Sequence, residues 1–318
     1  MKKPMKRIIL FVGLLLIVFL AVYAYRIYDS LNGLSKGKTV AVEGITDWNG
    51  KDRVNVLLLG GDSRDSGKDQ NPRSDTIMIA SVDPAEKSIV LFSVLRDTYV
   101  SIPDHGKGKI NAALALGGPS LAIQTVSNLL DIPIHYYVYT DFQGFMSLID
   151  AIGGIEIDVE KNMDYEDAAD GHKFDIHLKK GLQDMDGKTA LQYVRFRHDA
   201  TSDFTRTERQ RKLIAAVTEK LQNASSLVKL PGIIKSVSPY VDTNMKPTDM
   251  LKLGRLGLSA KGNGIDSVQL PPTNLIQNIR TKSGAALSAD PAALQGFVSS
   301  TLEQANEQAS GKGEKDGK

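Results

Sequence analysis

The chain has 318 residues, of which 39 are Lys or Arg and 37 are Asp or Glu, and it contains no cysteine. The lack of cysteine excludes disulfides, thiol-ligated metal sites and an acylated lipoprotein. Residues 1–30 hold five basic residues and one acidic residue, which leaves 34 basic and 36 acidic residues, a net charge of −2, in the rest of the chain. A basic, nucleic-acid-binding body is therefore not indicated, and we expect no nucleic-acid partner.

The N-terminus has the pattern of a membrane anchor. Four basic residues within residues 1–7 precede eighteen uncharged, mostly apolar residues, 8–25. As a helix this run would span about 27 Å, close to the thickness of a bilayer core. Because positive flanks stay in the cytoplasm, we predict a single-pass protein of the cell membrane with residues 1–7 cytoplasmic and the rest extracytoplasmic. The alternative is a cleaved signal peptide, for which Val22 and Ala24 form a weak cleavage site.

The remaining chain divides into a polar stalk (26–52), one large domain (53–306) and a tail predicted to be disordered (307–318). Three runs rich in Val, Ile and Leu with little alternation predict buried central strands at 54–59, 76–82 and 88–95. Further strands are predicted at 135–140, 155–159 and 266–270. Helices are predicted at 112–130, 142–152, 188–194, 205–222 and 290–304, and two more begin at Pro231 and Pro247. This pattern indicates an α/β fold.

Charged side chains gather where the predicted strands begin and end, and in a second group further along the chain. The first group is Asp62, Arg64, Arg73, Asp75, Arg96 and Asp97, and the second is Arg195, Arg197, His198, Asp199, Asp203 and Arg206. Because three predicted strand ends carry charged residues, we expect these residues to lie together in one site at an edge of the buried sheet. Arginine suits bidentate contact with phosphate oxygens, and paired aspartates suit a hard cation that bridges them. The pattern predicts phosphoryl chemistry. In an extended segment, Arg195 and Arg197 would share one face.

The helix predicted at 205–222 places two polar side chains on its inward face. At 100° per residue, Leu213, Val217 and Leu221 form an apolar stripe, and Arg206 and Gln210 fall on the same stripe. Arg209 flanks that stripe. A buried charge needs a partner, which leaves two interpretations open: an ion pair with Asp62, Asp75 or Asp203, or contact with a ligand phosphate.

Read together, these segments resemble the LytR-CpsA-Psr family of bacterial envelope proteins over about residues 54–220. The matching stretches are VNVLLLGGDSR (54–64), RSDTIMIASVDP (73–84), LRDTYVSIP (95–103), KINAALALGG (109–118), DFQGFMSLIDAIGGIEIDV (141–159), GLQDMDGKTALQYVRFRHD (181–199) and DFTRTERQRK (203–212). Two positions depart from the family pattern. Leu95 stands where proline is usual before Arg-Asp, and Gly61 stands where serine is commoner. Neither departure removes a charged residue.

The resemblance implies a three-layer α/β/α domain whose central mixed sheet encloses an apolar pocket for a polyprenyl tail. It also implies an extracytoplasmic phosphotransferase that moves a glycopolymer, such as wall teichoic acid or capsular polysaccharide, from an undecaprenyl-pyrophosphate-linked carrier to peptidoglycan. The acceptor would typically be the 6-hydroxyl of N-acetylmuramic acid. The expected partners are thus a polyprenyl-(pyro)phosphate-linked glycopolymer, peptidoglycan and the membrane.

Roles carried over by matching position are as follows. Asp62 and Asp75 are the expected ligands of Mg²⁺, or alternatively Mn²⁺. Asp75 is also the candidate base, in a catalytic set with Arg73, Arg96 and Asp97. The donor pyrophosphate would be held by Arg73, Arg96, Arg195, Arg197, Arg206 and Gln210. Two other functions stay open: hydrolysis of polyprenyl pyrophosphates, and a non-catalytic lipid-binding or regulatory role.

Overall fold

The computed structural model describes residues 3–35, 45–61, 72–166, 172, 175–197, 202–259 and 265–313. Its first element is the helix α1 (Lys3–Ser35). The side chains of residues 3–17 and 19 of this helix are not described. Among the described residues, no helix combines the length and the apolar character needed to cross a membrane. The backbone of α1 continues as helix ten residues beyond the predicted span, which ends at residue 25.

Within the described ranges, seven further α-helices, two short 3₁₀ helices (Ser238–Tyr240 and Thr273–Leu275) and fourteen strands follow. The helices are α2 (Ala112–Leu130), α3 (Phe142–Ala151), α4 (Gly187–Arg195), α5 (Ser202–Leu221), α6 (Ala224–Val237), α7 (Pro247–Ser259) and α8 (Pro291–Gly313). The strands are β1 (Val54–Gly61), β2 (Ser74–Asp83), β3 (Ser88–Val94), β4 (Tyr99–Ile102), β5 (Gly106–Lys109), β6 (Tyr136–Asp141), β7 (Ile155–Val159), β8 (Met163–Tyr165), β9 (Ile176–Leu178), β10 (Gly181–Met185), β11 (Val241–Thr243), β12 (Asp266–Leu270), β13 (Gln277–Thr281) and β14 (Gly284–Ser288).

Six strands form the central sheet in the order β11-β6-β1-β2-β3-β12. β6 runs parallel to β1 and β12 runs parallel to β3, whereas the other three pairs are antiparallel. The sheet is therefore mixed, and the predicted α/β class with a central mixed sheet is confirmed. Five of its six strands were predicted from sequence. The short edge strand β11 was not, since three residues carry too little periodicity.

Both faces of the sheet are covered. Leu57 and Leu59 of β1 pack in a cluster with buried residues of α2 and α8 on one face. The alternate residues Val54 and Val56 lie on the opposite face, where their cluster includes Met245 and partly buried residues of α7. A third apolar cluster joins α3, α4, α5 and α6 to the β7–β10 sheet. This last cluster holds the segments that carry the second group of arginines.

Two sequence expectations were wrong. Pro231 lies inside α6, which begins seven residues earlier at Ala224. The cost of an internal proline, about 3 kcal/mol, is offset by the burial of Ile233 and Ile234 beyond it. At the C-terminus, α8 continues to Gly313 although disorder was predicted from residue 307. Tertiary contacts decide this end, because Asn306 of α8 donates to Asp83 Oδ2 at 3.2 Å.

Candidate active site

The topology of the sheet brings the predicted charged residues to one edge. β1, β3 and β6 all run in one direction and end at this edge, and the antiparallel strand β2 begins there. Asp75 is the second residue of β2, and Arg96 follows β3 by two residues. β6 ends at the same edge in Asp141, which caps α3 by accepting from the Gly144 amide at 2.9 Å. Asp62, which follows β1 directly, lies outside the described residues.

Asp75 is the centre of the cluster. Its Oδ1 atom accepts hydrogen bonds from Arg96 Nη1 at 2.5 Å and Arg197 Nη2 at 3.2 Å. Arg206 Nη1 lies 3.9 Å from the same oxygen. Three guanidinium groups from three separate segments thus converge on one carboxylate oxygen, and Asp75 is only partly shielded, with 30% of its side chain exposed. Such a concentration of arginine offers several bidentate donors to a phosphate group.

The prediction that Arg206 and Gln210 lie on the inward face of α5 is confirmed. Arg206 is buried to 2% exposure and Gln210 is also buried. Gln210 donates to Thr76 Oγ1 of β2 at 2.9 Å, which ties the first half of α5 to the start of the strand that carries Asp75. Of the two interpretations left open by the sequence, the ion pair with Asp75 is present in the structure, at a distance longer than a hydrogen bond.

The residues assigned to catalysis or pyrophosphate binding, apart from Asp62, line the same cavity as Asp75: Arg73, Arg96, Asp97, Arg195, Arg197, Arg206 and Gln210. Arg64, His198, Asp199 and the side chain of Asp203 lie outside the described part of the chain. Arg73 is exposed. Asp97 pairs with Lys109 Nζ at 2.8 Å and with Arg96 Nε at 3.8 Å. Arg195 is the last residue of α4 and Arg197 follows the helix by two residues, so the two arginines do not share one extended segment. The Arg195 guanidinium lies 5.3 Å from the centre of the Phe142 ring.

Two functional side chains escaped the sequence reasoning. Lys109 of β5 lines the cavity and holds Asp97. Glu160, at the end of β7, accepts from Arg209 Nε at 2.7 Å and from the Tyr193 hydroxyl at 3.1 Å. Neither residue lies on a recognisable spacing with its partner; both pairings arise because separate elements meet. For Lys109, its position in the KINAALALGG stretch was the one available signal.

The contacts of Arg209 fix the segment that presents Arg197. Arg209 is 1% exposed, donates to the Phe196 carbonyl at 2.9 Å, and stacks over the Phe196 ring at 5.2 Å. Burial alone would raise the pKa of Glu160, but hydrogen bonds from the backbone, Arg209 and Tyr193 outweigh it and lower that pKa below its usual value. Glu160 is therefore ionised at neutral pH, and the Arg209–Glu160 pair holds the end of α4 against α5.

A cavity of about 1260 Å³ adjoins the arginines. It lies between the sheet and the helices α3, α4 and α5. Beyond the charged end its lining is mainly apolar: Leu58, Met78, Val138, Phe145, Leu148, Ile149, Leu191, Val194, Leu213, Ile214 and Val217. Apolar walls with polar groups at one end are typical of sites for amphipathic ligands.

The carboxylates of the described part fit Mg²⁺ only in combination with phosphate. Among the described residues, no group of three or more His, Cys, Asp or Glu side chains is arranged to hold a metal ion. Mg²⁺ nevertheless needs only one or two carboxylates when phosphate oxygens and waters complete its coordination. Asp75 makes its arginine contacts through Oδ1. The second predicted ligand, Asp62, lies outside the described residues.

The fold and the site together define an α/β protein with a cluster of arginines around Asp75 at a sheet edge, beside a cavity with a mainly apolar lining. Comparisons with known proteins show the family to which the chain belongs. The profile of the LytR_cpsA_psr family matches residues 18–292, and the chain belongs to this family.

Three known proteins illustrate the similarity of this chain in sequence and structure. The polyisoprenyl-teichoic acid–peptidoglycan teichoic acid transferase TagU of Enterococcus faecalis is 37% identical over 286 residues, which cover 87% of this chain and 91% of TagU. The regulatory protein MsrR of Staphylococcus aureus is 35% identical over 74% of this chain and 70% of its own length. The solved structure of Bacillus subtilis TagT bound to LI-WTA superposes with a TM-score of 0.64 at 26% identity, and covers 87% of this chain and 98% of TagT.

Proposed function

We propose that this protein is a phosphotransferase that attaches a glycopolymer, of the teichoic acid or capsular type, from an undecaprenyl-pyrophosphate-linked carrier to peptidoglycan. The observation that carries this proposal is the convergence of Arg96, Arg197 and Arg206 on Asp75 at the charged end of an apolar cavity. The relatives agree with it, since TagU is named as a teichoic acid transferase and TagT has been solved with LI-WTA bound.

The two ends of the cavity match the two parts of such a donor. A polyprenyl pyrophosphate has a doubly charged bridge joined to a long apolar tail. The arginines would hold the pyrophosphate, with Arg73 and Arg195 contributing from the rim and Gln210 helping to orient it. The apolar lining, from Leu148 to Val217, would take part of the tail. Each arginine donor on the developing charge is worth about 2.7–4 kcal/mol, by analogy with oxyanion-hole donors.

The reaction needs little covalent chemistry from the protein. A sugar hydroxyl of peptidoglycan attacks the phosphorus next to the glycopolymer, and the bond from that phosphorus to the bridging oxygen breaks. Polyprenyl phosphate leaves with the bridging oxygen. Asp75 lies at the centre of the arginine cluster and is our candidate to accept the proton of the attacking hydroxyl. In the alternative arrangement, Asp75 and Asp62 would hold Mg²⁺, or Mn²⁺, which would supply charge neutralisation on the phosphate oxygens. One carboxylate does not readily both bind the metal and take the proton, so these two roles of Asp75 are alternatives.

We also propose that residues 8–25 of α1 anchor the protein in the cell membrane, with the N-terminus in the cytoplasm and the catalytic domain outside. The support is the uncharged run of eighteen residues behind four basic residues. An extracytoplasmic domain would meet both the lipid-linked donor and the peptidoglycan acceptor at the outer face of the membrane.

The test is transfer of a radiolabelled glycopolymer from a lipid-linked donor to peptidoglycan fragments by the full chain in detergent with Mg²⁺. We compare Asp75→Asn with the matched variant Asp97→Asn. Both remove one carboxylate charge at the same sheet edge, but only Asp75 contacts three arginines. Asp75→Asn should abolish transfer while the protein stays folded. Asp97→Asn should cause a smaller loss, because Asp97 contacts Lys109 at 2.8 Å and reaches a single arginine, Arg96, only at 3.8 Å.

The same assay separates the alternatives. Release of polyprenyl phosphate without an acceptor, at a rate comparable to transfer, would replace the proposal by a pyrophosphatase. Donor binding without transfer or hydrolysis would favour a lipid-binding or regulatory protein, a role that the name of MsrR illustrates. Equal activity of Asp75→Asn and the unmodified protein would remove Asp75 from its catalytic role.

A further inference from the structure

α1 and α6 run side by side in the same direction. The Tyr23 hydroxyl of α1 donates to the Leu227 carbonyl near the start of α6. Ten residues further along α1, a β-carbon added at Gly33 would lie 4.0 Å from Ser238 Oγ, just past the end of α6. Tyr23 is the third-last residue of the proposed membrane span. The beginning of α6 therefore lies at the height where α1 would leave the membrane, and the end of α6 lies farther out.

Two helices that line the cavity run toward this same level. α5 carries Arg206 at the charged end of the cavity and Val217 in the apolar lining, eleven residues or about 16 Å further along the helix. It then ends at Leu221, and the chain turns directly into α6. The apolar part of α5 thus lies between the arginines and the start of α6.

The position of α3 independently indicates the same direction for the apolar end of the cavity. Near the start of α3, Gly144 approaches Tyr240, which lies beyond the far end of α6. Ile149 near the end of α3 and its C-cap residue Ile152 share a buried cluster with Ile233, the tenth of the fourteen residues of α6. Along α3 the cavity lining passes from Phe142, beside Arg195, to Leu148 and Ile149. The apolar end of the cavity therefore points toward the start of α6 along both helices.

The surface at the α5–α6 turn has the chemistry of a membrane contact. Val228 is 70% exposed, and the next residue, Lys229, is exposed as well. An exposed apolar side chain beside an exposed lysine suits the boundary between acyl chains and anionic headgroups.

We infer that the α5–α6 turn (residues 221–229) rests on the outer leaflet of the membrane and forms the entrance through which the polyprenyl tail enters the cavity from the bilayer. The pyrophosphate would then be held on the far side of the cavity from the bilayer, on the side from which peptidoglycan approaches. This inference rests on the proposed anchor and lipid-linked donor, and adds to them the route and orientation of that donor.

The position of the turn is tested with single fluorescent labels, because the chain has no cysteine of its own. Ser225→Cys lies in the first turn of α6, and Ser101→Cys lies on β4, beside the hairpin that carries Lys109 at the charged end of the cavity. Both serines are exposed, and both substitutions are nearly isosteric. The full chain, bimane-labelled, is reconstituted in vesicles of phosphatidylcholine and phosphatidylglycerol that contain doxyl-labelled lipid.

We expect strong quenching of the label at position 225 and none at position 101. Equal quenching at both positions, quenching only at position 101, or no quenching in protein that floats with the vesicles would overturn the inference. Protein that fails to float would remove the anchor and the inference together. Transfer activity, measured separately in detergent, distinguishes these failures from a failure of the proposed function.

The entrance itself is tested with Val228→Asp. Transfer from a long-chain donor embedded in vesicles should fall roughly tenfold, equivalent to about 1.4 kcal/mol, whereas transfer from a short-chain, water-soluble donor should not change. Leu182→Asp is the matched control, since Leu182 is also largely exposed (66%) but lies on β10, away from α6. It should change neither rate. An equal loss with both donors, or an equal loss in the control, would contradict an entrance at this turn.

Discussion

Two neighbouring buried arginines of α5, Arg206 and Arg209, have different surroundings. Arg206 and Arg209 lie three residues apart and are almost equally buried, at 2% and 1% exposure. Arg209 is held within hydrogen-bond distance of Glu160 and the Phe196 carbonyl and lies over two aromatic rings. Arg206 lines the cavity and lies 3.9 Å from Asp75. The two arginines therefore do not differ in burial. They differ in position, because Arg206 lines the cavity, where we propose that it meets the donor phosphate, and Arg209 is not among the lining residues.

The largest expected effect is on activity at Arg206. Arg206→Ala should lower kcat for transfer by about 10²–10³, because it removes one donor to charge that develops in the transition state. Single-turnover transfer measures this loss, and thermal unfolding in detergent measures stability. We expect the unfolding temperature to stay close to that of the unmodified protein. A loss of stability as large as that of Arg209→Ala would contradict the distinction between the two arginines.

The second effect is on stability at Arg209. Arg209→Ala should lower the free energy of unfolding by about 2–3 kcal/mol, since it removes charge-assisted hydrogen bonds from a buried site. The loss should stay below the 3–5 kcal/mol typical of a fully buried pair, because Glu160 is 36% exposed. Lys212→Ala, which breaks the exposed pair with Glu208 on the same helix, is the control and should cost about 0.3–0.5 kcal/mol. Equal losses would show that Arg209 does not secure the α4–α5 contact.

The smallest effect is the dependence of stability on pH at Glu160. Its pKa is lower in the folded than in the unfolded protein, so its ionised form stabilises the fold above its unfolded pKa and that contribution is lost as pH falls through the folded value. Glu160→Gln should therefore be less stable than the unmodified protein at pH 7, by about 1 kcal/mol. The difference should shrink as the pH is lowered below about 4.5. If the difference in stability stays constant between pH 7 and pH 3, the charge of Glu160 does not contribute to the stability of the fold.

Much of the fold followed from local pattern. The apolar runs at 54–59, 76–82 and 88–95 could be assigned to buried strands because a strand covered on both faces has no polar alternation. β11 and the small hairpins could not, because their residues owe their conformation to neighbours that are distant in sequence. Pro231 shows the same limit, since helix packing overrode a local signal that marks a helix start.

The site shows a similar division. The sequence by itself determined the family, the residue types at the sheet edge and the inward position of Arg206 and Gln210, because these depend on motif order and on the 3.6-residue period of a helix. Only the tertiary structure decided that Arg96, Arg197 and Arg206 meet at one oxygen of Asp75, and that Glu160 and Lys109 hold Arg209 and Asp97. Pairings of this kind join segments tens of residues apart, and their distances are set by how the sheet and helices pack rather than by any local preference of the chain.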